Sequence, residues 1–289
     1  MKFVIPLAFS DPTHAVEMAR TAEECGWDAV TVSDHVIEPE KIESTYPYSK
    51  DGTPRWQAPA PWPDPWVTIG AMAGATSRLR FFTNVYVLPM RNPFHVAKAV
   101  GTAAVLSGDR VALGIGVGWM KEEYELLGHD FHTRGRRADE MIEVIRKLWS
   151  GEYVEHHGRF YDFGRVQMQP APRARIPIYV GGISEPALHR VATLGDGWIS
   201  DIHSVAELGE IIAKIRRYRT ECGRGDEALD IVGSAPDAFD LDGYRRMQDV
   251  GVTHLATMPW LFYGGSTESL EDKRTGMRRF AEDIIAKMR

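Results

Sequence analysis

Strand and helix signals alternate without exception along this chain, and that alternation limits what it can fold into more than any other feature. Residues 2–7 (Lys-Phe-Val-Ile-Pro-Leu) read as a strand. Pro12 then opens a helix whose apolar positions Ala15, Val16, Ala19, Ala22 and Cys25 share one face, and Gly26 ends it. The same pair recurs. Further strands are expected at 27–33, 79–88, 110–115, 176–180, 197–200, 229–234 and 253–258. Helices are expected to open at Asp64-Pro65, Asn92-Pro93 and Glu185-Pro186, to run over 136–149, 205–222 and 241–250, and to close the chain. Residues 151–172 lack a helical period and carry aromatic residues around Gly158, which predicts a small hairpin insertion.

Strict β-α alternation implies a parallel sheet with helices packed on it. A doubly wound sheet has the same alternation, but eight repeats without a composition break favour closure into a (β/α)8 TIM barrel. The 289 residues suit one such barrel, for which about 250 are typical, so residues 1–289 are read as a single domain. In that fold, function belongs to the loops that leave the C-terminal ends of the strands.

Composition narrows the partners. A net charge of −6 disfavours a polyanion, so nucleic acid is not expected, and the one dense basic cluster, Arg134, Arg136 and Arg137, reads as a solvated helix start. No apolar run approaches the roughly 18 residues of a membrane span. The first residues form too short an apolar run for a signal peptide. The two cysteines, Cys25 and Cys222, each end a helix just before a glycine, where a packing role is expected. They build neither a disulfide framework nor a metal site. A reducing, cytoplasmic setting follows as the expectation, and a homodimer is admitted but not specified.

Three strand exits hold candidate chemistry. Asp34-His35 follows the second strand; the histidine can move a proton near neutral pH, and loop capping with a structural hydrogen bond is the competing reading. Gly116-Val117-Gly118-Trp119 leaves the fourth strand, where glycines serve either a close ligand approach or a tight turn. Gly181-Gly182-Ile183-Ser184 leaves the fifth and opens a helix, a natural phosphate site or a plain N-cap. None of these is a dinucleotide fingerprint, a P-loop or a nucleophile elbow. His129 and His132, and the surface-like pair His156-His157, lack the carboxylate partners of a metal site, so no metal is expected.

Taken in order, Ser33-Asp34-His35, Thr83-Asn84-Val85, Gly108-Asp109-Arg110 with Gly114 to Trp119, Pro177 to Gly182, and Gly195-Asp196-Gly197-Trp198 resemble the luciferase-like monooxygenase superfamily. Within it they are most similar to the oxidoreductases that use the deazaflavin coenzyme F-420. The resemblance implies a flavin-like ring at the barrel mouth and a cis peptide at Asn84-Val85 behind it. It also implies contact of Asp34 with the ring, a phosphate held by Gly116, Val117, Gly118, Trp119, Gly181 and Gly182, and proton transfer by His35. One departure stands out: the sugar-phosphate dehydrogenases of this superfamily carry an acid where this chain has Trp119, which puts a sugar-phosphate reaction in doubt.

The leading expectation is hydride transfer between the deazaflavin and a small organic substrate. The alternative is an FMN-dependent monooxygenase using molecular oxygen, and a non-catalytic flavin-binding protein is the third reading. The aromatic segment between Tyr46 and Trp62 suggests an apolar or planar substrate, although buried packing would look the same.

Overall fold

A computed structural model describes residues 1–289. Strand β1 (Lys2–Pro6) leads through a 3-10 turn, in which Asp11 accepts from the Thr13 amide, into α1 (Ala15–Glu24). After β2 (Ala29–Val32), α2 (Pro65–Gly74) starts at Asp64, whose carboxylate accepts from the Trp66 and Val67 amides at 2.9 Å. Those amides have no carbonyl partner at a helix start, and the proline beside them has no N–H to lose. Strands β3 (Arg80–Thr83) and β4 (Tyr86–Val87) precede α3 (Pro93–Ser107), which Asn92 caps in the same way. Strand β5 (Val111–Gly116), α4 (Lys121–Leu126) and α5 (Arg134–Leu148) lead to an antiparallel hairpin of β6 (Val154–His157) and β7 (Asp162–Val166). The remaining order is β8 (Ile178–Gly181), α6 (Glu185–Leu194), β9 (Gly197–Ile202), α7 (Val205–Glu221), β10 (Asp230–Ser234), α8 (Leu241–Asp249), β11 (His254–Ala256), α9 (Pro259–Phe262) and α10 (Leu270–Phe280).

The barrel strands pair in the order β3-β2-β1-β11-β10-β9-β8-β5, all parallel, and β3 also pairs with β5, so the sheet closes on itself. Strand β4 continues the path of β3 and pairs Tyr86 with Ile115. With β3 and β4 counted as one interrupted strand, this is the expected eight-stranded (β/α)8 barrel. Its interior is filled by one residue from each strand: Val4, Ala29, Phe82, Ala112, Tyr179, Ile199, Val232 and Ala256. Phe82 meets Tyr179 edge to face at 5.5 Å, and the alanines leave room for those two rings. A much larger apolar shell separates the barrel from its helices, so the cylinder is a packed core rather than a pore.

Four expectations need correction. The strand over 79–88 is broken at Asn84 and Val85, which leave the ladder. Helix α4 was not expected; six residues, Lys-Glu-Glu-Tyr-Glu-Leu, are too few to display a period. His156 is not surface-like: it is buried, stacks on Phe163 and lies 3.2 Å from both Glu140 Oε1 and the Lys147 ammonium. Cys222 is exposed, with its sulfur against the Ala192 and Arg219 carbonyls, whereas Cys25 is partly buried against the core.

Candidate active site

The C-terminal ends of the barrel strands open into one cavity of about 510 Å³. All the residues singled out at strand exits line it: Asp34, His35, Asn84, Val85, Gly116, Val117, Gly118, Trp119, Gly181, Gly182 and Ser184. The loop over 36–64 adds Tyr46, Tyr48, Trp56 and Trp62 to its wall.

The cavity floor forms where β3 stops. The Asn84-Val85 peptide is cis. The Ser33 hydroxyl donates to the Asn84 carbonyl at 2.9 Å, and the Val85 side chain enters the cavity between two strand exits. A Cβ on Gly116 would stand 2.6 Å from Val85 Cγ2, and one on Gly181 would stand 2.9 Å from Val85 Cγ1. These two glycines therefore make room for Val85, a reason the sequence could not disclose.

Asp34 is buried, and both its oxygens are occupied. Arg91 donates to them through Nη1 and Nη2 at 2.6 and 2.7 Å, and the Val87 amide donates at 2.8 Å. Burial pushes the Asp34 carboxyl up, against the opposing pull of Arg91 and Val87. Its carboxylate thus ties β2 to β4 while still lining the cavity.

His35 Nδ1 lies 2.8 Å from Oε2 of Glu123, a carboxylate only 2% exposed in the first turn of α4. Its ring is walled by Trp56, Trp62 and Trp119, with centroids 5.4, 4.9 and 6.3 Å away. Tyr46 packs edge-on against both Trp56 and Trp119. Burial pushes the Tyr46 hydroxyl up to about 12, so it stays protonated at neutral pH. Arg55 closes this wall by a bidentate pair with Asp201 at 2.6 and 2.7 Å.

Other residues of the cavity lining suit an anion. Arg134 stacks on Phe131 at 3.6 Å and donates to the Gly118 and Phe131 carbonyls, with no carboxylate partner, and burial pulls its pKa down. Ser184 sits at the N-cap of α6 with no cap hydrogen bond from its side chain, so its hydroxyl is available to a ligand beside the first-turn amides. Gly182 has φ 107°, and a Cβ there would meet the Ala187 methyl at 3.1 Å, so a bulky residue would strain the turn itself.

Two residues escaped the sequence reading. Arg134 belongs to a basic cluster that reads as solvated, yet it lines the cavity while Arg136 does not. Glu123 lies in α4, a helix too short to show a period. Its one sequence signal is an acid close behind the glycine-rich exit.

Comparison with known proteins agrees with this architecture. A family model described as luciferase-like monooxygenase matches residues 4–261. An uncharacterized protein of Mycobacterium tuberculosis (strain H37Rv) is 39% identical over 291 residues, covering 100% of both chains. An F420-dependent glucose-6-phosphate dehydrogenase of Nakamurella multipartita is 28% identical over 243 residues, 82% of this chain and 67% of that one. Among solved structures, an F420-dependent secondary alcohol dehydrogenase in complex with an F420-acetone adduct superposes with a TM-score of 0.77 at 19% identity, covering 99% of this chain and 98% of that one.

Proposed function

This chain belongs to the luciferase-like monooxygenase family, and from that we propose that it is an oxidoreductase using the deazaflavin coenzyme F-420 to oxidise or reduce a small, uncharged, flat or cyclic alcohol or carbonyl compound. The observation that carries this reading is the mixed lining of the cavity: an unpaired cation and free helix amides for an anion, and a histidine in an aromatic wall. When bound, the deazaflavin supplies two-electron hydride exchange. Arg134, Ser184 and the amides that open α6 would hold its phosphate, and Val85 on the cavity floor would contact its ring system. The tryptophans wall His35, which moves a proton to or from the substrate oxygen.

The substrate class follows from what the aromatic half offers. Phe9, Tyr46, Tyr48, Trp56, Trp62 and Trp119 present ring faces and edges. Arg55, over the Tyr46 ring at 5.9 Å, is already paired with Asp201, and Arg134 would be taken by the cofactor phosphate. A sugar phosphate would find no free cation there, so the reaction named for the Nakamurella relative is not the one proposed.

Titration of the purified protein with coenzyme F-420 and with FMN, followed by fluorescence, tests the cofactor. F-420 should bind the tighter, and Arg134→Ala should weaken it about 10- to 100-fold, the loss of a charge-assisted bond worth roughly 1.5–3 kcal/mol. Preference for FMN, with oxygen consumed on reduction, would replace this proposal by the monooxygenase reading.

A further inference from the structure

Glu123 is buried, yet it has no lysine or arginine partner; the group it pairs with is His35. Its two oxygens divide their work. Oε1 accepts from the Val36 amide at 2.7 Å and from the Ile37 amide at 3.3 Å. Oε2 faces His35 Nδ1 at 2.8 Å. A glutamate carboxylate offers acceptors only, and its Oε1 already serves the two amides. The group opposite Oε2 must then be a donor, so the imidazole proton sits on Nδ1. The other ring nitrogen, Nε2, has no protein partner and is not buried, so it opens on the cavity that His35 lines. The Asp34 carboxylate next in sequence does not compete for the ring, being spent on Arg91 and Val87.

We propose that Glu123 is the positioning residue for His35: it fixes the neutral imidazole as the Nδ1–H tautomer and thereby presents Nε2 to the substrate as a proton acceptor. In the direction of oxidation, Nε2 takes the proton of a substrate hydroxyl; in reduction, it returns that proton to the oxygen. The substrate part of this statement rests on the proposed function, while the tautomer does not.

Nitrogen-15 NMR of the histidine rings separates the two, because pyrrole-like and pyridine-like nitrogens differ in shift. In the wild-type protein without added cofactor, at a pH where the ring is neutral, His35 (assigned by its loss in His35→Asn) should show a protonated Nδ1 and a bare Nε2. In Glu123→Gln, the amide oxygen must serve the Val36 and Ile37 amides, which turns the NH₂ toward Nδ1 and reverses the tautomer. If substrate is turned over, that reversal should cost about 10²–10⁴-fold in rate with F-420 affinity held within a few-fold. A wild-type ring protonated on Nε2, or mixed, overturns the proposal even if no variant folds. So does a tautomer that Glu123→Gln leaves in place. Failure to bind F-420 would leave the NMR result standing and count against the proposed function alone.

Discussion

Arg91 shows how much one side chain at the mouth can carry. Its guanidinium neutralises a carboxylate whose side chain is 1% exposed, joins β2 to the loop after β4, and stacks on Tyr86 at 4.2 Å. Arg91→Met keeps most of the side-chain volume but strands the Asp34 charge in the interior. Breaking a buried pair from one side typically costs about 3–5 kcal/mol, and urea denaturation should find a loss of that size. A loss below about 1 kcal/mol would mean that water reaches Asp34 and that the pair does not fix the loop. At this scale the sequence was legible in position and less so in role. Every residue chosen at a strand exit lines the cavity, because the barrel's chain path alone puts strand exits there. What could not be read were partners across long separations. Asp34 waits for Arg91, His35 for Glu123, and Gly116 and Gly181 for the Val85 side chain, and no local pattern announces such meetings.

Among the elements, the long loop over 36–64 has no regular structure, but it is fastened at several points. Glu122 of α4 accepts from the Glu43 and Ser44 amides and from the Ser44 hydroxyl; Glu123 accepts from Val36 and Ile37. Within the loop, Glu38 accepts from the Trp56 indole at 3.0 Å. Across the mouth, Arg55 reaches Asp201 at the end of β9. The acids at the start of α4 also suit the positive end of a helix dipole, so one short helix stabilises itself by gripping the loop. Periodicity found the long helices and missed this one, since its amphipathic pattern is a matter of two glutamates turned toward a loop. The Arg55–Asp201 pair is partly exposed, at 33% and 20%, and should be worth no more than about 1 kcal/mol to global stability. Its effect should be local. Asp201→Asn is expected to speed hydrogen exchange in residues 43–56 several-fold while shifting the melting temperature only slightly. Exchange unchanged in that segment would show that Glu122 and Glu123 hold the loop unaided.

For the molecule as a whole, the two ends of the barrel divide the work. The mouth holds the candidate chemistry; the opposite end is closed by polar residues at the strand starts. Tyr179 donates to Asp230 Oδ2 at 2.7 Å, and His254, 4% exposed, sits with Nδ1 2.7 Å from the Thr253 hydroxyl and 4.0 Å from Asp230 Oδ1. Burial pulls the His254 pKa down to about 4, with Asp230 opposing too weakly to restore it. The unfolded chain binds this proton near pH 6.5, so it takes it up before the folded one does. Stability from keeping His254 neutral is therefore full above pH 6.5, falls as pH drops toward 4, and is gone below. The whole contribution is at most about 3 kcal/mol, with a slope approaching about 1.4 kcal/mol per pH unit while one proton separates the two states. Urea denaturation at a series of pH values from 7 to 4 should show this slope in the wild-type protein, and His254→Gln, which keeps a polar group beside Thr253 but cannot titrate, should flatten it by about one proton. Because the cavity lies at the other end of the barrel, F-420 affinity at neutral pH should be the same in both proteins. Equal slopes in the two would mean that His254 is hydrated in the folded state, and that the acid sensitivity of this barrel belongs to its carboxylates.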